Sequence, residues 1–195
     1  MDQHSSRSAR PPAPAKLRIL AAADALFYND GIHSVGVDRI IAEARVTKST
    51  FYKHFPAKEL LIIAYVHGRD QGLREFLTGQ QSSLEDPALV LRALVGRIVT
   101  EANRPGFRGC PFINAAAQFS DPDSPVRRAV AEHRGWYLSF VGSLLRELRH
   151  PRPGEGAADL LLARDGALSG SSISDPMTVT AALRRSAERI LTEAA

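Results

Sequence analysis

The chain has 195 residues, a mass of 21.2 kDa and a formal net charge of +4. Hydrophobic residues make up 44% of it and charged residues 24%, a composition that supports a real core and excludes a wholly disordered or fibrous chain. The single cysteine, Cys110, excludes an intramolecular disulfide framework. Since there is neither a membrane-length apolar run nor a secretion signal, we expect a cytoplasmic protein.

The positive charge is concentrated in the first third of the chain. Residues 1–60 contain nine basic and six acidic residues, and this excess weakly favours a polyanionic partner there. Residues 1–15 are rich in Ser, Arg and Pro and have little to bury, which predicts a flexible basic arm carrying Arg7 and Arg10. A disordered tail without function is an equally good interpretation of this segment.

Three short helices are predicted after the arm. The first covers residues 16–29, where apolar residues recur at helical spacing and Gly31 follows as a suitable terminator. The second covers residues 37–44, with apolar residues three and four positions apart. The third begins near Thr47, whose hydroxyl can cap the first turn, and it ends before Pro56. A tight turn therefore separates the second helix from the third.

The rest of the sequence predicts six further helices. Polar segments rich in Gly, Ser and Pro, such as GQQSSLEDP, SDPDSP and PRPGEG, separate the apolar-periodic stretches. The predicted helices cover residues 60–78, 87–99, 110–119, 126–149, 157–170 and 176–194. With no strand alternation in the sequence, the predicted class is all-α, with about nine helices.

The third predicted helix, in TKSTFYKHF (residues 47–55), is unusually polar and basic. Phe51 and Phe55, four positions apart, would anchor one face of it in the core. The hydroxyl, phenol and ammonium groups of its other face could then contact phosphates or base edges, as in a helix-turn-helix unit. A solvated helix of an ordinary bundle has the same spacing, so the pattern alone leaves both interpretations open.

The segment ILAAADALFYNDGIHSVGVDRIIAEARVTKSTFYKHFPAKELL resembles the DNA-binding region of the tetracycline-repressor (TetR) family of bacterial regulators. The features that match are the first helix followed by Gly, the I-A-x-x-A pattern, the Val-Thr turn, TFYKHF and K-E-L-L. The resemblance covers roughly residues 16–63. It implies a helix-turn-helix domain over residues 16–60 and a larger helical domain for effector binding and dimerisation over residues 61–195.

The resemblance also implies which residues contact DNA. Thr47 would cap the recognition helix, and Lys58 at the start of the next helix would bind the DNA backbone. The remaining implied contacts come from Lys48, Ser49, Thr50, Tyr52, Lys53 and His54. Arg45 departs from the family, which usually has Gly at this turn. A strained left-handed Arg costing about 1 kcal/mol, a differently built turn, and a guanidinium that reaches a phosphate are all open.

By the same resemblance, the last two helices would form a homodimer interface. The sequence supplies small and apolar residues there, although these faces could instead complete the core of a single chain. The residues concerned are Leu160, Leu161, Leu162, Ala163, Gly166, Ala167, Gly170, Val179, Leu183, Ala187, Ile190 and Leu191. Two-fold symmetry would let two recognition helices read half-sites one helical turn, or a multiple, apart.

An effector cavity is expected between the middle helices. The candidate lining is rich in aromatic side chains with a few polar groups, which suits a small, largely apolar or aromatic molecule. Its members are Phe107, Cys110, Phe112, Ile113, Asn114, Phe119, His133, Trp136, Tyr137 and Phe140. Ordinary core packing is the alternative for each of them, a surface position for His133, and a redox-sensing role for Cys110.

The expected function is that of a TetR-like transcriptional regulator, a repressor that binds a palindromic operator in double-stranded DNA as a homodimer and leaves it when the effector binds. Neither a metal nor another cofactor is expected, because no ligand spacing is present. Catalysis by Glu132 with His133, or by Asp159 with Asp165, is the enzymatic alternative, and no catalytic motif supports it. A DNA-binding structural protein with a filled middle core is a further alternative.

Overall fold

The computed structural model describes residues 14–194, so the expected basic arm with Arg7 and Arg10 lies outside the described residues. The described range folds into nine α-helices and contains no strand, which confirms the all-α class. The helices are α1 (Ala15–Asp30), α2 (Val37–Ala44), α3 (Lys48–His54), α4 (Lys58–Ser83), α5 (Pro87–Ala102), α6 (Pro111–Ala117), α7 (Pro125–Glu147), α8 (Pro153–Gly170) and α9 (Pro176–Thr192).

Proline and a polar cap mark the start of several helices, as the sequence predicts for α5 and α9. The Asp86 carboxylate accepts a hydrogen bond from the Ala88 amide at 2.8 Å, and Asp175 accepts from the amides that open α9. Each cap is followed by a proline, whose missing N–H is not needed in the first turn. These starts therefore follow from local chemistry.

Two predicted boundaries are wrong. Helix α4 continues through GQQSS to Ser83, where the hydroxyls of Ser82 and Ser83 each donate to a carbonyl four residues earlier at 2.9 Å. Helix α8 begins at Pro153, inside the segment PRPGEG that the sequence predicts as a loop. Leu84, just past the end of α4, packs against the core, and Gly156 is buried in the first turn of α8, so packing overrides local propensity.

Helix α3 rests on α1 and α2 through the two predicted anchors. Phe51 is fully buried and Phe55 is 4% exposed, and both belong to the hydrophobic core. The Thr47 hydroxyl accepts a hydrogen bond from the Thr50 amide at 3.1 Å, which confirms its capping role and contributes about 1 kcal/mol. The anchors and the cap together fix the direction in which the rest of α3 points.

The turn between α2 and α3 adopts the strained alternative. Arg45 has φ 52° and ψ 51°, a left-handed conformation, and the Val46 amide donates to the Ile41 carbonyl in the pattern of a Schellman cap. From α1, the Arg18 guanidinium donates to the Ala44 carbonyl at 3.1 Å. Surrounding contacts therefore hold an Arg where glycine would be unstrained.

Helices α4 to α9 share one continuous core with α1 to α3. Helix α4 packs against α1 on one side and against α5, α6 and α7 on the other, while α8 packs between α7 and α9. Several apolar residues of the last two helices are buried inside the single chain, which is the alternative that the sequence left open for them. They are Leu160, Leu161, Ala167, Leu183, Ala187, Ile190 and Leu191.

We expect Arg45→Gly to raise the free energy of unfolding by about 1 kcal/mol, because glycine adopts the left-handed conformation without steric strain. Urea denaturation of the purified protein measures this change. Arg45→Ala is the matched control, since it removes the guanidinium but keeps the strained Cβ. Equal stabilisation by both substitutions would contradict the role assigned to strain.

Candidate nucleic-acid interface and central cavity

The face of α3 opposite the phenyl anchors is open to solvent. Lys48, Ser49, Tyr52 and Lys53 are exposed there, as the sequence predicts, together with the capping residue Thr47. Thr50 and His54 are half-buried at the edges of this face. Helix α3 therefore offers ammonium, hydroxyl and phenol groups on a rigid base.

The cations of this face are weakly engaged within the chain. The Lys48 ammonium lies 3.6 Å from an Asp38 carboxylate oxygen, and both side chains are largely exposed, so the pair is weak and a phosphate can replace Asp38. Across residues 14–194, Lys53 has no carboxylate within 4 Å. Both ammonium groups are therefore available to an external polyanion.

Lys58 has a structural contact in addition to its predicted role. Its ammonium donates to the Ile32 carbonyl at 2.6 Å and lies 5.9 Å from the centre of the Phe27 ring. Burial lowers the pKa of Lys58. The ammonium thus ties the start of α4 to the loop after α1, and two of its three N–H groups are left for the predicted phosphate contact.

Three sets of polar contacts join the helix-turn-helix unit to the rest of the chain. Arg69 on α4 binds both carboxylate oxygens of Asp24 on α1, at 2.5 and 2.9 Å. The Tyr28 hydroxyl donates to the Gly109 carbonyl at 3.0 Å. The Gln118 side-chain oxygen accepts from the Ile32 amide at 2.8 Å and also from the next amide. Movements of α4 or α6 therefore reach the helix-turn-helix unit directly.

The residues predicted to line an effector cavity do not all meet in one space, although Phe112, His133 and Tyr137 gather around the Arg164 guanidinium. Trp136 stacks on Phe140 with ring centres 5.3 Å apart, and Phe119 packs against His33 at 5.1 Å. Tyr137 is fully buried, Cys110 is buried, and Phe107, Ile113 and Asn114 are half-buried. Phe112 is the member of the predicted set that borders the central cavity described next.

A cavity of about 130 Å³ lies among α4, α5, α6 and α8. Three of its lining residues are arginines and most of the others are apolar, in contrast to the aromatic lining that the sequence predicts. The lining consists of Arg69, Leu73, Leu94, Arg97, Ile98, Glu101, Pro111, Phe112, Arg164 and Leu168. Arg164 and Asp165 interrupt the apolar run LLLARDGAL, and this break was the available sequence signal for a buried polar group.

A larger hollow of about 380 Å³ lies near Asp86, Arg92 and Leu148, at the ends of α5, α7 and α9. Its lining includes exposed polar residues and no aromatic side chain. The smaller cavity is better enclosed by buried side chains and adjoins the contacts with the helix-turn-helix unit. It is therefore the stronger candidate for a ligand site.

His133 is fully buried beside the cavity, so the surface alternative is wrong. Its Nδ1 lies 2.7 Å from Asp70, whose other oxygen accepts from Arg74 at 2.7 Å. An ionised carboxylate only accepts, which assigns the ring proton to Nδ1 and leaves Nε2 to accept from Arg164 at 3.3 Å. The His133 ring also stacks on Phe112, 3.6 Å between centres.

Burial lowers the pKa of His133 from 6.5 to about 4. The hydrogen bond to Asp70 opposes this effect, while the neighbouring positive charge of Arg164 adds to it. The ring is therefore neutral near pH 7. It joins Asp70 on α4 to Arg164 on α8 without adding a charge.

Within the described range, no helix is long and apolar enough to cross a membrane. The same residues contain no group of three His, Cys, Asp or Glu side chains placed to hold a metal ion.

The fold and the exposed face of α3 define a helix-turn-helix DNA-binding protein. Residues 19–65 match the model of the bacterial regulatory proteins of the tetR family. The transcriptional regulator LmrA of Bacillus subtilis is 30% identical over 132 residues, which are 67% of this chain and 70% of LmrA. UidR of Escherichia coli K12 is 31% identical over 104 residues, covering 47% of this chain and 53% of UidR. The chain belongs to the TetR family of transcriptional regulators.

Solved structures agree over nearly the whole chain. SCO4454, a TetR-family regulator from Streptomyces coelicolor, is 40% identical with a TM-score of 0.86, and the match covers 91% of this chain and 94% of SCO4454. A TetR regulator from Legionella pneumophila has a TM-score of 0.81 at 19% identity, and the match covers 92% of this chain and 98% of that regulator. At this identity the match shows a shared fold. The family that the sequence resemblance indicates is thereby confirmed.

We expect the double substitution Lys48→Ala with Lys53→Ala to weaken binding to double-stranded DNA at fixed salt. Each lost phosphate contact should also lower the salt dependence of log K by about one unit, so the pair should lower it by about two. Fluorescence anisotropy over a series of salt concentrations measures both effects.

The control for this pair is Arg146→Ala with Arg149→Ala, which removes two exposed cations at the end of α7. Unchanged affinity and slope in the Lys48 and Lys53 variant would remove α3 from the interface.

We expect the free energy of unfolding to fall as the pH is lowered from 6.5 to 4, partly because of His133. The unfolded chain binds a proton on this residue below pH 6.5, whereas the folded chain resists it until about pH 4. Above pH 6.5 His133 causes no loss of stability. Between pH 6.5 and about pH 4 the loss grows to about 3 kcal/mol. Urea denaturation at several pH values measures it.

In this experiment His133→Gln should show a shallower acid dependence than the wild type. His67→Gln, at an exposed position of α4, should keep the steep dependence because His133 is intact. Equal slopes for wild type and His133→Gln would show that His133 is not held neutral.

Proposed function

We propose that this regulator is a repressor that binds a palindromic operator as a homodimer and leaves it when a small molecule occupies the central cavity. The observation that carries the proposal is the exposed cationic face of α3, fixed by the buried Phe51 and Phe55. The proposed DNA contacts are those predicted above, from Arg45, Thr47, Lys48, Ser49, Thr50, Tyr52, Lys53, His54 and Lys58. The protein acts where DNA is, in the cytoplasm.

The proposed domains meet within one helix. Residues 16–60 form the DNA-binding domain and residues 61–195 the effector and dimerisation domain, so the boundary falls in the first turn of α4. A helix shared by both domains transmits a displacement without a flexible linker. The Lys58 bond to Ile32 and the Arg69 pair with Asp24 attach α4 to the DNA-binding domain at two points.

Exposed apolar side chains on the last two helices support dimerisation through this face. Leu162 is 73% exposed, and Ile173 and Met177 are also exposed, in the turn and at the start of α9. Gly166, exposed one turn after Leu162, has no side chain to hold another helix away. We assign a second copy of the chain to this face, because two recognition helices are needed to read a palindrome.

An effector in the cavity would act on DNA binding through α6. Pro111 and Phe112 at the start of α6 border the cavity, while Gln118 just after its end binds the turn that follows α1. The effector must bind the conformation that is off DNA more tightly than the one on DNA, since equal affinities shift nothing. Helix α6 has the cavity at one end and the DNA-binding domain at the other, so a shift of α6 would change the shape of the cavity and the position of the DNA-binding domain together.

The central cavity argues against a purely structural DNA-binding protein, whose middle core would be filled. Catalysis has no support from the relatives, which are transcriptional regulators. Ligand-controlled repression is therefore the function that the geometry supports best.

Selection of bound sequences from a random pool of double-stranded DNA tests the proposal. We expect an inverted repeat with half-sites about one helical turn apart, or a multiple of it. Leu162→Glu should give a monomer in light scattering, because it places charges in the proposed interface, and should weaken binding to the full repeat far more than to a half-site.

Leu89→Glu is the control, since Leu89 is exposed on α5 and belongs to neither of the two helices of the proposed interface. It should leave both the oligomeric state and the affinity for the repeat unchanged. Selection of a single non-repeated site, or a Leu162→Glu protein that remains dimeric, would contradict the proposal.

A further inference from the structure

We propose that the central cavity binds a small organic monoanion, an aromatic or branched aliphatic carboxylate about the size of one six-membered ring. This inference rests on the proposed function, because it names the chemical class of the effector. It adds a negative charge to the small, largely apolar or aromatic molecule that the sequence predicts. Three observations carry it, namely the incompletely paired Arg164, the charge of the cavity mouth and the shape of the walls.

Arg164 supplies a buried positive charge to the cavity. Its side chain is 5% exposed. Its Nη2 donates to neutral His133, and its Nη1 makes a long ion pair with Asp165 at 3.6 Å, without a hydrogen bond. The other oxygen of Asp165 accepts from Arg134.

A guanidinium has five N–H donors and is costly to bury without a matched anion. The Tyr137 ring, 4.8 Å from the Arg164 guanidinium carbon, compensates only in part. A carboxylate that enters the cavity would complete the pairing, with two parallel hydrogen bonds where both oxygens reach the fork.

The mouth of the cavity is also positive. Arg97 is exposed and stacks over the Phe76 ring at 4.6 Å, and among residues 14–194 no carboxylate lies within 4 Å of it. The single carboxylate of the lining, Glu101, is paired with Arg104 at 3.0 Å. Arg69 is neutralised by Asp24. Arg97 at the mouth therefore has no carboxylate partner among the described residues, and Arg164 on the floor has only the 3.6 Å ion pair with Asp165.

The walls limit what can carry the negative charge. Leu73, Leu94, Ile98, Phe112 and Leu168 surround the space with hydrocarbon. The volume of about 130 Å³ is close to the roughly 150 Å³ of a cavity that holds benzene. A single apolar body with one charged group fits both features. A dianion such as a phosphate ester would need more donors than these walls provide.

The floor is organised before a ligand arrives. Arg74 donates to Asp70, Asp70 accepts from His133, and His133 accepts from Arg164, so the guanidinium is held by helices α4 and α7 as well as by its own helix. An anion that binds Arg164 therefore meets a fixed cation and loses little affinity to ordering the site. It also presses on Phe112, which stacks on His133 and belongs to α6.

Calorimetric titration of the full chain with sodium benzoate and with benzamide tests the inference, because the two probes share shape and differ in charge. We expect benzoate to bind at least about tenfold more tightly. Arg97→Gln should weaken benzoate binding by about three- to tenfold and leave benzamide unchanged. Arg184→Gln, which removes an exposed cation from α9, is the matched control and should bind both probes as the wild type does.

Two further variants distinguish the effect of the Arg164 charge from the effect of the cavity space. Arg164→Gln should abolish the preference for benzoate, and thermal unfolding establishes first that this variant is folded. Leu168→Trp fills the cavity without changing its charge and should abolish binding of both probes. The inference is overturned by benzamide affinity within about threefold of benzoate, by undiminished benzoate binding to Leu168→Trp, or by no benzoate binding at about 10 mM.

Release of the selected operator distinguishes this inference from the proposed function. Release by benzoate alone supports both. Benzoate that binds in the cavity but leaves the operator bound supports the inference and contradicts effector release. Release by benzamide at the concentrations at which benzoate acts overturns the inference and leaves effector-controlled repression intact.

Discussion

Burial of the Arg164 guanidinium is the constraint on which the larger part of the molecule depends. A charge that is this far from water needs partners, and α8 itself offers only Asp165 at 3.6 Å. The nearest hydrogen-bond acceptor is His133 on α7, which is positioned by Asp70 on α4. These contacts fix the positions of α4, α7 and α8 relative to one another, and the cavity lies next to them. The buried hydrogen bonds among Asp70, His133 and Arg164 determine how these helices are placed, whereas the surrounding apolar side chains supply most of the free energy of folding.

The recognition helix depends on the rest of the molecule in a similar way. Seven residues are too few for a stable helix in water, so α3 owes its structure to tertiary contacts. Phe51 and Phe55 fix it to α1 and α2, Thr47 caps its start, and Arg18 steadies the carbonyl end of α2. Because the polar face makes few internal contacts, it remains open for DNA. The strained backbone at Arg45 is tolerated for the same reason, since contacts on both sides hold the turn.

The cavity and the proposed DNA-binding face share two structural elements. Helix α4 contacts the DNA-binding domain through Lys58 and Arg69, and Asp70, next to Arg69, binds His133 beside the cavity, so one helix turn holds a contact to each region. Helix α6 borders the cavity at its start and reaches Gln118 after its end. These contacts join the two regions over short distances, without a flexible segment between them. A shift of either helix therefore changes both regions together.

The sequence by itself determined the order of the helices, the capped and proline-marked starts and the phenyl anchors of α3, because each follows from residues close together in the chain, but it left the backbone at Arg45 open. It did not determine the end of α4 or the start of α8, where packing of Leu84 against the core and burial of Gly156 outweigh local preference. The tertiary structure alone decided the cavity, since it joins four helices and the partners Asp70 and His133 are 63 residues apart. Periodicity shows that a side chain faces inward, and only the packed chain shows what it meets there.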